Sequence, residues 1–142
     1  MKKLFLLSAA CLFTLLTASA QKTAKPFRAY LYNNDYEVYL NINFYDENIK
    51  VPGQELYGNL PGYLGKKNNS FCWVITSAKI TDKKTATMNL INDYGSEDLT
   101  ATLTRKNDSI YILKQESGST LKVPKNSKWQ KIPKTIELKR RK

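Results

Sequence analysis

Histidine is absent from the 142 residues, and cysteine occurs only twice, at Cys11 and Cys72. Without an imidazole the chain lacks the commonest general base and the commonest metal ligand. Two distant cysteines supply no thiolate set of the usual four-ligand kind, so no metal and no other cofactor is expected. The G-x-S-x-G nucleophile elbow, the P-loop and the dinucleotide glycine pattern are missing too. Acidic residues are scarce: 12 Asp+Glu stand against 23 Lys+Arg, a formal charge of +11. These shortages argue against most hydrolases and metalloenzymes and leave a basic chain rich in tyrosine. Its length suits one domain, large enough to bury a core without disulfide staples.

The one long apolar run lies at the start. Met1-Lys2-Lys3 is a short positive segment, Leu4 to Leu16 is apolar apart from Ser8 and Thr14, and Thr17-Ala18-Ser19-Ala20 supplies small residues before Gln21. This three-part pattern predicts a secretory signal at 1–20, cleaved after Ala20. The run is about thirteen residues, whereas a spanning helix needs about 20. Lipidation at Cys11 is disfavoured, because Ser8 stands where a lipobox wants Leu and apolar sequence continues to Leu16. The mature chain 21–142 then carries one thiol, Cys72, in the apolar Phe71-Cys72-Trp73-Val74, where an inert buried role is expected.

Beyond Gln21 the hydrophobic period is two. Tyr36, Val38, Leu40, Ile42 and Phe44 share one face, while Glu37, Tyr39, Asn41, Asn43 and Tyr45 share the other. Comparable alternation runs through Thr85–Leu90 and Asp98–Thr104, and no segment sustains an amphipathic helix. Strands are expected near 27–32, 36–45, 48–51, 55–64, 71–80, 85–92, 98–106, 109–115, 119–123 and 135–140. Turn chemistry punctuates them at Asp46-Glu47-Asn48, Asp82-Lys83, Asn107-Asp108 and Ser117-Gly118. The fold class is therefore all-β: a single up-and-down antiparallel β-barrel of about eight strands, with an open β-sandwich as the alternative. A lipid-spanning barrel is disfavoured, since 109–115 and 119–123 are shorter than the roughly 9–11 residues such strands need.

Three groups of residues carry possible chemistry. The carboxylates Asp93, Glu97 and Asp98 cluster between two strands; they are either an acid–base pair or, more simply, a solvated turn. Five of the nine tyrosines fall between Tyr30 and Tyr45. Tyr39 and Tyr45, with Asn41 and Asn43 and the distant Trp129, are ligand-binding candidates, because rings stack on a ligand while amides orient it. The Tyr57–Tyr63 segment reads as a loop at a barrel mouth. Finally, residues 122–142 hold nine basic residues and one acidic, with Lys122, Lys125, Lys128, Lys131 and Lys134 at every third position. Pro124 and Pro133 forbid a continuous helix, and an extended left-handed chain of three residues per turn would line these lysines on one edge. That edge would suit anionic polysaccharide or lipid headgroups; a secreted protein is poorly placed for nucleic acid.

Signal and meander together make the chain resemble the calycin-like secreted β-barrel proteins of Gram-negative bacteria. Glu116-Ser117-Gly118-Ser119-Thr120-Leu121-Lys122, then Lys128-Trp129-Gln130-Lys131 and Thr135-Ile136-Glu137-Leu138, is similar to the end of periplasmic lysozyme-inhibitor barrels. That similarity implies inhibitory contacts at Ser117 and Lys122. The expectation is an exported, non-enzymatic binding protein of the bacterial cell envelope. Its ligand would be an anionic polymer, a small apolar molecule inside the barrel, or an envelope protein. The alternatives are an inhibitor of a cell-wall hydrolase and a small carboxylate-based enzyme.

Overall fold

Strands that alternate apolar and polar residues bury one face only, and here they do so by closing on themselves. A computed structural model describes residues 25–142; the signal expected at 1–20, its expected cleavage point and Cys11 lie outside the described residues. The strands are β1 (Arg28–Asn33), β2 (Val38–Asn43), β3 (Ile49–Lys50), β4 (Asn59–Leu60), β5 (Gly62–Lys66), β6 (Cys72–Ile80), β7 (Thr85–Asn92), β8 (Asp98–Arg105), β9 (Ile110–Gly118), β10 (Lys122–Lys125), β11 (Lys128–Lys131) and β12 (Thr135–Arg140). Eight of them form a closed antiparallel barrel in the order β1-β12-β9-β8-β7-β6-β5-β2. Two hairpins, β3–β4 and β10–β11, interrupt the meander as separate two-stranded sheets.

The inward residues fill the barrel. Leu31, Leu40, Leu64, Trp73, Ile75, Ala86, Leu103, Tyr111 and Leu138 are fully buried in one core cluster. Outward positions such as Thr87, Asn89, Thr100, Thr102, Lys114 and Glu137 are exposed or half-buried. An apolar interior inside a polar wall is the reverse of a lipid-spanning barrel. No helix among the described residues is long and apolar enough to cross a membrane.

Both mouths are sealed. At the end carrying Lys25 and the C-terminal residues, called the terminal end below, Phe27 stacks on Phe44 with ring centroids 5.8 Å apart, and the Tyr111 hydroxyl donates to the Pro26 carbonyl at 2.6 Å. At the opposite end the β10–β11 hairpin is a lid, with Leu121, Val123 and Ile132 buried in the barrel core. Trp73 Nε1 donates to the Lys122 carbonyl at 2.9 Å. Gln115 holds both stems of the lid: its Nε2 donates to the Ile132 and Pro133 carbonyls, and its Oε1 accepts the Leu121 N–H. A barrel filled and plugged in this way gives no internal room to the small apolar ligand considered from sequence.

The excursion between β2 and β5 is a flap. It climbs the outer wall and covers a second apolar cluster of Val51, Leu60, Tyr63, Cys72 and Val74. The single strand expected at 55–64 is thus broken into a 3-10 turn (Glu55–Tyr57), β4 and β5. The kink between the two strands falls at Pro61, and the Gly62 backbone lies so close to β2 that a Cβ would meet the Asn41 carbonyl oxygen at 2.3 Å. Tyr57–Tyr63 is accordingly part of this wall, not a loop at a mouth. Likewise Ser117-Gly118 is no turn: β9 continues through it, with a bulge that shifts the register opposite Thr100 and Ala101. The strand expected at 119–123 begins instead at Lys122.

Gly65 is a strand residue with a close-packing reason. It pairs with Tyr39 across β2–β5, and a Cβ there would sit 2.3 Å from the Tyr39 ring. That ring cannot easily move, because it stacks on Tyr30 and meets Tyr63 edge-on. Gly65→Ala is expected to lower unfolding free energy by about 1–3 kcal/mol, the usual cost of overpacking. Urea unfolding of the variant measures it.

Candidate functional site

The largest assembly of exposed aromatic groups lies on the lid end, beside the hairpin rather than inside the barrel. Two adjoining clefts of about 340 Å³ and 300 Å³ share Asn69, Ser70, Phe71 and Asp93. The hairpin closes the first cleft with Pro124, Lys128 and Trp129; the flap closes the second with Pro52, Gly53 and Gln54. Tyr94 is 72% exposed and Trp129 50% exposed, large fractions for such rings. Phe71 supports both, with centroid distances of 6.2 Å to Tyr94 and 5.0 Å to Trp129.

Local chemistry fixes each wall. Asn69 Oδ1 accepts the Phe71 N–H at 2.8 Å and turns the β5–β6 connection so that Phe71 faces the hairpin. Asn92 organises the next turn: its Oδ1 accepts the Ser96 and Glu97 N–H groups, and its Nδ2 donates to Ser96 Oγ. Asn126 and Ser127, both with positive φ (52° and 63°), make a tight two-residue connection between β10 and β11. Positive φ at both central residues is the geometry whose twist matches a hairpin.

The carboxylates separate rather than pair. Asp93 accepts a hydrogen bond from Gln54 of the flap, and Glu97 forms an ion pair with Lys122 at 3.0 Å. Asp98 begins β8 and lines a different groove, between β7, β8 and β9. Asp93 is the only carboxylate lining the two aromatic clefts, so no acid–base pair converges there. The turn reading of this segment is the one its geometry fits, with Asn92 as its organiser.

The other candidates are dispersed. Tyr39 reaches the second cleft and Trp129 the first, but Asn41 stays half-buried on the outer wall. Asn43 is buried and structural: its Oδ1 accepts the Tyr45 and Asp46 N–H groups, and its Nδ2 donates to Asp46 and Asn48. Tyr45 lies at the terminal end, where its hydroxyl accepts the Phe27 N–H. Burial, helped by a hydrogen bond with Tyr63, pushes the Tyr39 phenol well above its ordinary range.

The lysine strip also comes apart. The segment is a hairpin, not a left-handed extended chain, with Lys122 opposite Lys131 and Lys125 opposite Lys128. Residues three apart on a strand face opposite sides, so Lys122 and Lys131 share the Trp129 face while Lys125 and Lys128 do not. Lys122 is engaged with Glu97 and lies 6.0 Å from the Trp129 ring centroid. Lys134 sits apart in a cleft at the β9 bulge together with Ser117. Ser117 and Lys122 line no common cleft.

Cys72 lies beneath the flap, 4% exposed and without a disulfide partner among the described residues. Burial, then the nearby Asp93 charge, pushes its thiol up to about 11 from an ordinary value of 9.0. The folded protein therefore holds this proton more tightly than the unfolded chain. The thiol's contribution to stability is full below about pH 9 and falls as pH rises towards about 11. A thiol-specific dye at pH 8 is expected to label native protein far more slowly than urea-unfolded protein; equal rates would show that the flap does not cover Cys72.

No protein-family model, curated protein or solved structure matches the chain. The site rests on its own geometry.

Proposed function

We propose that the protein is an exported, non-enzymatic binding protein of the bacterial envelope that holds a glycan chain in the lid-end clefts. The observation that carries this reading is Trp129, half-exposed and braced edge-on by Phe71, beside an exposed Tyr94. Aromatic faces held rigidly at a cleft wall suit the apolar faces of sugar rings. Asp93, Asn69 and Ser70 stand between them as partners for hydroxyl groups, a few polar groups that orient what the rings stack upon. Two-carboxylate hydrolysis needs a second carboxyl group across the scissile bond, and the clefts supply Asp93 alone, which supports binding over hydrolysis. Lys125 and Lys128 flank the hairpin tip, where anionic substituents of a longer polymer would meet them.

The test is quenching of intrinsic tryptophan fluorescence by two probes, neutral chitotetraose and anionic hyaluronan oligosaccharides. Saturable quenching by at least one is expected, and calorimetric titration, which does not need Trp129 as reporter, should show affinity lowered about 10- to 100-fold in Trp129→Ala, the scale of a binding hot spot. Because Trp129 is half-exposed, that variant keeps near-native stability. Wild-type protein that binds neither probe would defeat the glycan reading. If hyaluronan alone binds, and Lys125→Glu/Lys128→Glu abolishes it, the ligand is an anionic polymer.

A further inference from the structure

The excess positive charge of residues 122–142 divides between opposite ends of the barrel. The hairpin lysines lie on the lid, among Asp93, Glu97 and Asp98. Lys139 to Lys142 run the other way, down β12 to the end where the described residues begin. There they meet cations from three further segments: Lys25 and Arg28 before and on β1, Lys83 and Lys84 in the β6–β7 turn, and Arg105 and Lys106 leaving β8.

The acidic residues at this end are Asp46, Glu47, Asp82 and Asp108, and three of them are engaged. Asp108 pairs with Arg105, Asp82 caps the N–H groups of Lys84 and Thr85, and Asp46 accepts from Asn43, while on the adjoining wall Glu137 of β12 pairs with Lys106 at 3.9 Å. Lys83, Lys84, Lys139 and Arg140 form no salt bridge among the described residues. The barrel thus has one strongly cationic pole, assembled from four segments that only closure brings together.

Apolar surface lies within that pole. A shallow groove of about 510 Å³ runs between Pro26, Phe27, Tyr45 and Ile80, rimmed by Lys83 and Arg105 and by one acidic residue, Asp82. Tyr45 and Ile80 are each more than a third exposed. Lys25 lies over the Tyr45 ring, and Arg141 lies 3.9 Å from the Tyr30 ring centroid. Cations set around exposed aromatic and aliphatic side chains combine the two attractions of a peripheral membrane contact. Charge draws the surface to anionic headgroups, and the apolar groups enter the interface. A polysaccharide would use the charge but leave Ile80 and Tyr45 without a partner.

We infer that the terminal pole docks on an anionic lipid bilayer, leaving the lid-end clefts facing away from it. This inference does not depend on the glycan reading, because it uses the opposite end of the molecule.

Co-sedimentation with phosphatidylcholine vesicles, with and without phosphatidylglycerol, tests it. Binding is expected only to the anionic vesicles, falling steeply as salt is raised. The exposed-turn variant Lys83→Glu/Lys84→Glu/Lys106→Glu should lose at least tenfold in partitioning while keeping its circular dichroism spectrum and its response to glycan. Lys125→Glu/Lys128→Glu, at the other end, should partition like the parent. Three results would each overturn the proposal: equal binding to neutral vesicles, no binding to anionic ones, or a pole variant that partitions as the parent does. Ile80→Asn, which adds no charge, separates the two attractions, and is expected to weaken partitioning with less effect on salt dependence than the lysine changes.

Discussion

Trp73→Ala is expected to remove about 3–5 kcal/mol of unfolding free energy, the cost of emptying a buried aromatic site. Domains of this size are stable by about 5–15 kcal/mol, so the variant should unfold near the lower edge of the urea series or fail to accumulate. The estimate rests on position as well as volume. Trp73 is fully buried where β6 enters the lid end, and its Nε1 also holds the Lys122 carbonyl. Trp73→Phe separates the two contributions: most of the volume stays while the hydrogen bond goes, and about 1–3 kcal/mol should be lost. Chemical denaturation of both variants decides the matter. A Trp73→Ala protein as stable as Trp73→Phe would mean that the core relaxes into the space and that close packing at the lid end is unimportant.

Gln115→Leu is expected to cost about 2–4 kcal/mol although Leu is similar in size and more apolar. The removed amide serves three backbone groups: the Leu121 N–H at 2.7 Å, and the Ile132 and Pro133 carbonyls at 3.2 and 3.1 Å. Each buried polar group left without a partner costs about 1–3 kcal/mol. These groups sit in the two stems of the lid, so the loss should also be local. Hydrogen exchange should accelerate at Leu121, Val123 and Ile132 before it changes on β7 and β8. A uniform acceleration across the barrel would show that lid and wall open as one unit.

Much of the fold was legible because a barrel wall is half-buried, and alternation reports half-burial directly. β7 and β12 occupy 85–92 and 135–140, where the pattern places them. Alternation is blind, however, to which strands share a sheet. The 122–134 segment carries two signals at once: lysine at every third residue, and a pair of quartets, Lys-Val-Pro-Lys and Lys-Trp-Gln-Lys, joined by Asn-Ser. The second is the one the chain follows, since Asn accepts positive φ readily. Pro124 is no obstacle, because β10 pairs on one side only and needs no N–H towards the other. The flap escaped notice because Val51, Leu60 and Tyr63 read as ordinary strand residues, whereas they pack on the outside of the barrel. The clefts were least legible of all: Asn69–Phe71, Asp93–Tyr94 and Trp129 lie on three separate connections, and only the closed barrel sets them side by side.

The barrel is sealed by its last strand lying against its first, with Leu31 opposite Arg140 and Tyr32 opposite Lys139. Seen in time rather than in space, that seam is the slowest contact to arrange, because about a hundred residues separate its two sides. The Asn33 side chain bonds to the Glu137 carbonyl across 104 positions, and Arg140 to the Arg28 carbonyl across 112. Until β12 arrives, β1 and β9 each present a row of unpaired backbone groups, the kind of edge that recruits other chains. A chain interrupted before Thr135 should therefore self-associate instead of merely being less stable. The order of strands along the chain thus leaves both edges of the unfinished sheet open until β12 takes its place.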